Sequence, residues 1–143
     1  MDFSGPDNEC PMPLPHLPHG LHLTADLHGC APAQAAMTQA AALREACLAA
    51  VGASGLTAVG ELFHPFSPLA GQSGPPGITG VVLLAESHLA VHTWPELGAV
   101  TLDVYVCNLG SDNSARAEAL MAALEALFAP ARASRQRLLR GSP

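Results

Sequence analysis

Hydroxyl, imidazole, carboxylate and thiol groups, sparse elsewhere in the chain, are concentrated between Gly77 and Cys107. Glu86, Ser87 and His88 are consecutive, His92 follows five residues after Ser87, and Cys107 closes the stretch. A serine hydroxyl can attack a carbonyl, an imidazole can take up or return a proton, and a thiol can donate one. Hydrolysis of the Ser-His-Asp kind is a poor fit, because Glu86-Ser87-His88 lacks the flanking glycines of a nucleophile elbow. Single Ser, His and Cys residues near strand ends are commonly structural, so residue types alone leave a catalytic and a packing role both open.

These groups need a rigid frame. Ile78 to Ala85 is a nearly unbroken apolar run rich in β-branched residues, which predicts a strand buried on both faces and ending where polarity returns at Glu86. From His88 the chain alternates, with His88, Ala90, His92 and Trp94 on one face and Leu89, Val91 and Thr93 on the other. Pro95 to Gly98 has turn chemistry. A second alternation follows, with Ala99, Thr101, Asp103, Tyr105 and Cys107 sharing one face and Val100, Leu102, Val104 and Val106 the apolar one. A hairpin about that turn sets residue 94 opposite 99, 92 opposite 101 and 88 opposite 105, and brings Cys107 beside the Glu86-Ser87 bond.

Gly77, Gly80, Glu86-Ser87-His88, His92-Thr93-Trp94-Pro95-Glu96, Gly98, Asp103 and Cys107 together make a specific pattern. In it the chain resembles the bacterial and archaeal S-adenosylmethionine decarboxylases, which are pyruvoyl-dependent. Weaker similarity at His22-Leu23, Gly29-Cys30, Phe63-His64 and Phe66 extends the resemblance over roughly residues 20 to 128.

The resemblance implies self-processing between Glu86 and Ser87, with Ser87 becoming a covalent pyruvoyl group that forms a Schiff base with the substrate. It assigns processing to His92, with support from the hydroxyl of Thr79, where the family often has Ser. Five residues of extended chain span ~16 Å, so His92 reaches Ser87 only if the chain bends, which calls for a turn at Glu86-Ser87. Cys107 corresponds to the proton donor in decarboxylation, Glu96 to the carboxylate that binds ribose hydroxyls, and Phe66 to the aromatic that stacks on adenine. The implied function is decarboxylation of S-adenosylmethionine to the aminopropyl donor for spermidine synthesis. The same mechanism on arginine or ornithine is the alternative, kept open by Leu97, where an aromatic is common, and by a Ser67 to Pro76 loop longer than usual. An unprocessed, non-catalytic regulatory homologue is a second alternative, disfavoured by the joint presence of Ser87, His92 and Cys107.

Composition narrows the field. The chain has 143 residues, 49% hydrophobic and 13% charged, which suits one domain with a real core. A net charge of −6 argues against nucleic acid as a partner. All six basic residues are arginines. Without a lysine to hold pyridoxal phosphate, amino-acid decarboxylation needs another carbonyl. Cys10, Cys30, Cys47 and Cys107 form no Cys-x-x-Cys pair, and the seven histidines show no backed ligand pair, so neither metal nor disulfide framework is expected. The N-terminus shows no basic segment followed by an apolar one, and no apolar run reaches ~18 residues. The expectation is a cytoplasmic protein that does not engage membranes.

Residues 1–19 carry Pro6, Pro11, Pro13, Pro15 and Pro18 and are expected to be a mobile extension. Leu21 to Leu27 predicts a strand, Ala33 to Ala50 a helix, Leu56 to Phe66 a strand, and Asp112 or Ser114 to Phe128 a second long helix. Residues 130–143 are left as a solvated tail, so the decarboxylase domain is expected over 20–129. The order predicts an α+β two-layer sandwich, one antiparallel sheet with helices on one face, like the S-adenosylmethionine decarboxylases. Its uncovered sheet face is the resemblance's place for a homodimer of cleaved protomers.

Overall fold

The computed structural model describes residues 19–141. The Pro-rich segment, apart from His19, lies outside the described residues. Six strands form one antiparallel sheet: β1 (Gly20–His28), β2 (Ala58–Pro65), β3 (Ile78–Leu84), β4 (Ser87–Trp94), β5 (Ala99–Cys107) and β6 (Arg132–Arg140), in the spatial order β2-β3-β4-β5-β1-β6. Three helices, α1 (Ala35–Thr38), α2 (Ala40–Ala53) and α3 (Ser114–Phe128), complete the chain. This is the expected α+β arrangement.

The alternation along each strand decides which face the helices cover. Leu21, Leu23, Ala25 and Leu27 of β1, Leu89 and Val91 of β4, and Val100, Leu102, Val104 and Val106 of β5 are all buried on one face. Leu43, Cys47 and Val51 of α2 and Ala117, Leu120, Met121, Leu124 and Phe128 of α3 are buried with them in a single apolar cluster. Burial of this order, at about 25 cal/mol per Å² of apolar surface, is the main stabilising contribution to the domain.

Three expectations are corrected. The helix predicted from Ala33 to Ala50 is interrupted at Gln39, which is extended (φ −114°, ψ 111°). The Thr93 hydroxyl donates to the Met37 carbonyl at 2.8 Å, satisfying an acceptor that a continuous helix would have used internally. Strand β3 is buried on one face only, since Thr79 and Val81 are half-buried and Leu83 is exposed. Residues expected as a solvated tail instead form β6, paired along β1 from Gly20↔Arg140 to His28↔Arg132. Its arginines carry no apolar alternation. Arg135 and Arg137 pair instead with Glu125 and Glu118 of α3, holding the strand where a hydrophobic stripe would otherwise do so.

The connections that frame the chemistry are tight. The β4–β5 turn is a 3-10 turn over Pro95–Leu97, closed by Gly98 in the left-handed region (φ 59°), where glycine carries no Cβ penalty. The Gly98 carbonyl accepts from Cys30 N–H at 2.9 Å and so ties this turn to the end of β1. Gly80 has a different reason: the Phe63 ring lies where its Cβ would be.

Candidate active site

The β4–β5 register runs Ser87↔Val106, His88↔Tyr105, His92↔Thr101 and Trp94↔Ala99, as the alternation and the turn predict. Cys107, one residue beyond Val106 on β5, is therefore at the sheet end that carries Glu86 and Ser87. The chain between β3 and β4 reverses over Ala85 and Glu86, both exposed, and Leu84 pairs with Ser87. Ser87 itself has φ 116°. A non-glycine residue held there costs on the order of 1–3 kcal/mol, a strain that concentrates at functional sites. Ser87 and Cys107 are both half-buried on the sheet.

Thr79 and His92 form a second group. They are cross-strand neighbours on β3 and β4, and Thr79 Oγ1 lies 2.8 Å from His92 Nδ1. His64 of β2 is the partner of Thr79 on its other side, so His64, Thr79 and His92 make a row across three strands, with a small cleft above it. Beyond the end of this row, Phe66, Trp94 and Glu96 line a cleft of about 340 Å³ whose other wall is the loop Ser67–Gly77. Phe66 N–H donates to the Gly77 carbonyl at 2.8 Å, closing the loop at its base. The cleft is within the size range of small-molecule sites, and Glu96 is the single charged residue in its lining.

The structure thus divides the expected site residues between two ends of β4. Glu86, Ser87 and Cys107 are at one end; Thr79, His92, Glu96 and Phe66 are at the other. The turn expected near Ser87 is present at Ala85–Glu86, but β4 then runs as one continuous strand from Ser87 to Trp94. The bend that would carry His92 back to Ser87 within one copy is not formed, and five residues of strand keep them ~16 Å apart.

Other groups emerge only in three dimensions. Thr93 is fully buried, accepting from Ile78 N–H at 2.9 Å while donating to Met37, and so joins β3, β4 and α1 behind the site. Asp103 stands between His22 and His88 on the open face. The three cysteines among the described residues differ sharply: Cys47 is buried in the core, which pushes its thiol pKa up to about 12, burial also raises that of Cys30, and Cys107 is on the open face. Among the described residues, no helix is long and apolar enough to cross a membrane.

The S-adenosylmethionine decarboxylase family model matches residues 21–141. The chain is 42% identical over 88 residues to an S-adenosylmethionine decarboxylase proenzyme of Aquifex aeolicus, covering 62% of this chain and 58% of that protein. It is 38% identical over 106 residues to the proenzyme of the same name from Symbiobacterium thermophilum, covering 74% of each. A crystal structure of the adenosylmethionine decarboxylase from Aquifex aeolicus superposes with a TM-score of 0.75 at 34% identity, over 88% of this chain and 93% of that one. The match runs through β6, the motif strands and the helices alike, and the chain belongs to the S-adenosylmethionine decarboxylase family.

Proposed function

We propose that this chain is an enzyme that cuts itself between Glu86 and Ser87, carries a pyruvoyl group derived from Ser87, and decarboxylates S-adenosylmethionine as a homodimer. The observation that carries the reading is the division of its site. Two incomplete halves lie at opposite ends of one strand, and Cys107 of one and Thr79 and His92 of the other are on the sheet face that the chain's own helices leave uncovered. Leu62, Leu83 and Leu138 are exposed on that face, an apolar surface suited to burial against another chain.

A two-fold axis that sets Ser87 against His92 of the partner subunit makes the reciprocal pair at the same time. Such an axis crosses β4 near its midpoint, at Ala90, whose small side chain allows close approach. Each complete site then takes Ser87 and Cys107 from one copy and the Thr79–His92 pair from the other, with Glu96 and Phe66 supplied from the same side as His92.

The conformation at Ser87 suits the precursor of a pyruvoyl group. It follows an exposed turn, and its φ of 116° sets it apart from the regular strand after it. The hydroxyl attacks the Glu86 carbonyl, and the amide is exchanged for an ester as the nitrogen of residue 87 takes the proton. Removal of the residue-87 Cα proton then expels the Glu86 carboxylate and leaves a dehydroalanine, which takes up water and releases ammonia. His92 of the partner subunit, its Nδ1 engaged by Thr79, presents the imidazole for this proton transfer.

A pyruvoyl group supplies a carbonyl that withdraws electrons from a bound amino acid as carbon dioxide leaves. The chain's own residues do the rest. Cys107 returns a proton to the carbon that lost the carboxylate. Glu96 takes the ribose hydroxyls, and Phe66 and Trp94 give the flat apolar surface an adenine needs. With Glu96 given to the ribose, the cleft lining holds no other carboxylate for the guanidinium of arginine or the side-chain amine of ornithine, which favours an adenosyl group. The relatives' description as proenzymes supports self-processing, and the product fits spermidine synthesis.

Denatured intact mass beside a Ser87→Ala control tests the processing. The expected result is two fragments split after Glu86, the second lighter than its sequence by the mass change from serine to pyruvoyl, and one uncut chain in the control. Release of carbon dioxide from S-adenosylmethionine, with none from arginine or ornithine, tests the substrate. A wild-type chain that stays whole would favour the regulatory alternative.

A further inference from the structure

Asp103 lies on the open face with both carboxylate oxygens engaged, Oδ2 with His22 Nε2 at 2.8 Å and Oδ1 with His88 Nε2 at 2.9 Å. The three residues come from three adjacent strands, β1, β5 and β4, so one carboxylate bridges across β5. Tyr105 fills the space beside them, its ring 5.4 Å from that of His22 and 5.8 Å from that of His88, with the Arg140 guanidinium over it at 4.9 Å. None of the steps assigned above uses this bridge.

Two imidazoles and a carboxylate can hold a transition metal, and among the described residues this is the one group of three such donors that converge. Its surroundings favour a proton instead. Arg140 Nη1 stands 3.5 Å from His22 Nδ1, and a guanidinium can only donate. This contact favours the tautomer with the lone pair on His22 Nδ1 and the hydrogen on Nε2, directed at Asp103.

The bridge's position along the chain shows what it can do. His88 directly follows Ser87. On the other side of the cleavage position, Ala85 N–H donates to the Thr57 carbonyl at 2.9 Å. Beyond the ladder pairs that residues 87 and 88 make with β3 and β5, the exposed Glu86 and the strained Ser87 lie between two further tethers, one through backbone at residue 85 and one through the His88 side chain. Regular strand pairing does not favour a φ of 116° at a serine, so something must hold the chain on each side of it.

We propose that Asp103, fixed by His22 and acting through His88, is the positioning residue for self-cleavage: it anchors the chain just after Ser87 so that the serine keeps the conformation from which its hydroxyl meets the Glu86 carbonyl. This rests on the self-processing reading. The bridge makes no contact with the reacting atoms, and its effect falls on the cutting rate.

The test follows cutting over time, by denatured intact mass, in freshly translated wild-type, Asp103→Ala, His88→Leu and His88→Gln chains, with circular dichroism and sedimentation to establish folding and assembly. Asp103→Ala and His88→Leu are expected to cut on the order of 10- to 100-fold more slowly, the effect of a displacement of roughly 1 Å at a reacting group. His88→Gln keeps an N–H near the Nε2 position and is expected to recover most of the wild-type rate, a recovery that general loss of packing would not give. If Asp103→Ala fails to fold, the His88→Leu and His88→Gln pair decides. A wild-type chain that does not cut removes the self-processing reading and this proposal with it. A wild-type chain that cuts, with His88→Leu and His88→Gln folded and cutting at equal rates, overturns the positioning role alone.

Discussion

The two faces of the sheet do different work. On the helix-covered face the buried side chains are apolar, with Thr93 as the polar exception, and its hydroxyl is fully used by Ile78 N–H and the Met37 carbonyl. That face is finished within the chain. On the open face His22, His88, His92, Thr79, Asp103, Tyr105 and Cys107 are only half-buried, and the groups that processing needs lie at separate ends. Stability and chemistry are therefore largely segregated by the two-residue period of the strands, and the open face is the one to which the proposed homodimer would bring a second copy.

Substitutions on the two faces should separate these roles. Ser87→Ala has the largest expected effect on the chemistry: a folded chain, uncut, with decarboxylation at background, read by intact mass and carbon dioxide release. Cys107→Ala is expected to leave cutting largely intact while lowering the decarboxylation rate by roughly 10²–10⁴-fold, the usual value of a positioned proton donor. On the covered face, Leu89→Ala should lower unfolding stability in urea by about 2–5 kcal/mol, with cutting retained in the molecules that remain folded. Thr101→Ala, across from His92 on the open face, should change chain stability by no more than about 0.5 kcal/mol.

The two faces also hold different thiols. Burial raises the Cys47 pKa from 9.0 to about 12, so the folded state keeps a proton that the unfolded chain releases. Its contribution is fully present below pH ~9 and is lost as pH rises towards ~12, with a slope of up to about 1.4 kcal/mol per pH unit. Urea unfolding followed through that window should show the decline, and Cys47→Ala should flatten it. An unchanged slope in Cys47→Ala would assign the decline to other groups.

How much of this was legible in the sequence depended on how local the determinants are. The β4–β5 register follows from two alternations and the Pro95 to Gly98 turn, and the strand pairs match it residue for residue. The motif residues were identifiable by type and spacing. Their distribution between two ends was not, because it depends on β4 remaining straight through Ser87–Trp94. β6 escaped because four arginines in Arg132–Arg140 give no apolar period; its place is set by pairing with β1, more than 100 residues earlier in the chain. The Asp103 bridge needed β1 beside β5, a non-local pairing that brings together residues 81 apart in sequence. The break at Gln39 reflects a tertiary competitor, the Thr93 hydroxyl, which helix propensity does not register.

The most direct test of the account is complementation between two disabled chains. His92→Ala alone is expected to stay largely uncut, and Ser87→Ala cannot be cut. Co-folded in equal amounts, random pairing puts about half of the His92→Ala chains beside a Ser87→Ala partner, where an intact Ser87 meets an intact His92 of the partner subunit. The account predicts that about this half is cut after Glu86, by intact mass. His92→Ala chains that remain uncut in dimers shown to be mixed would contradict it, and would place the processing imidazole within the same copy as its serine.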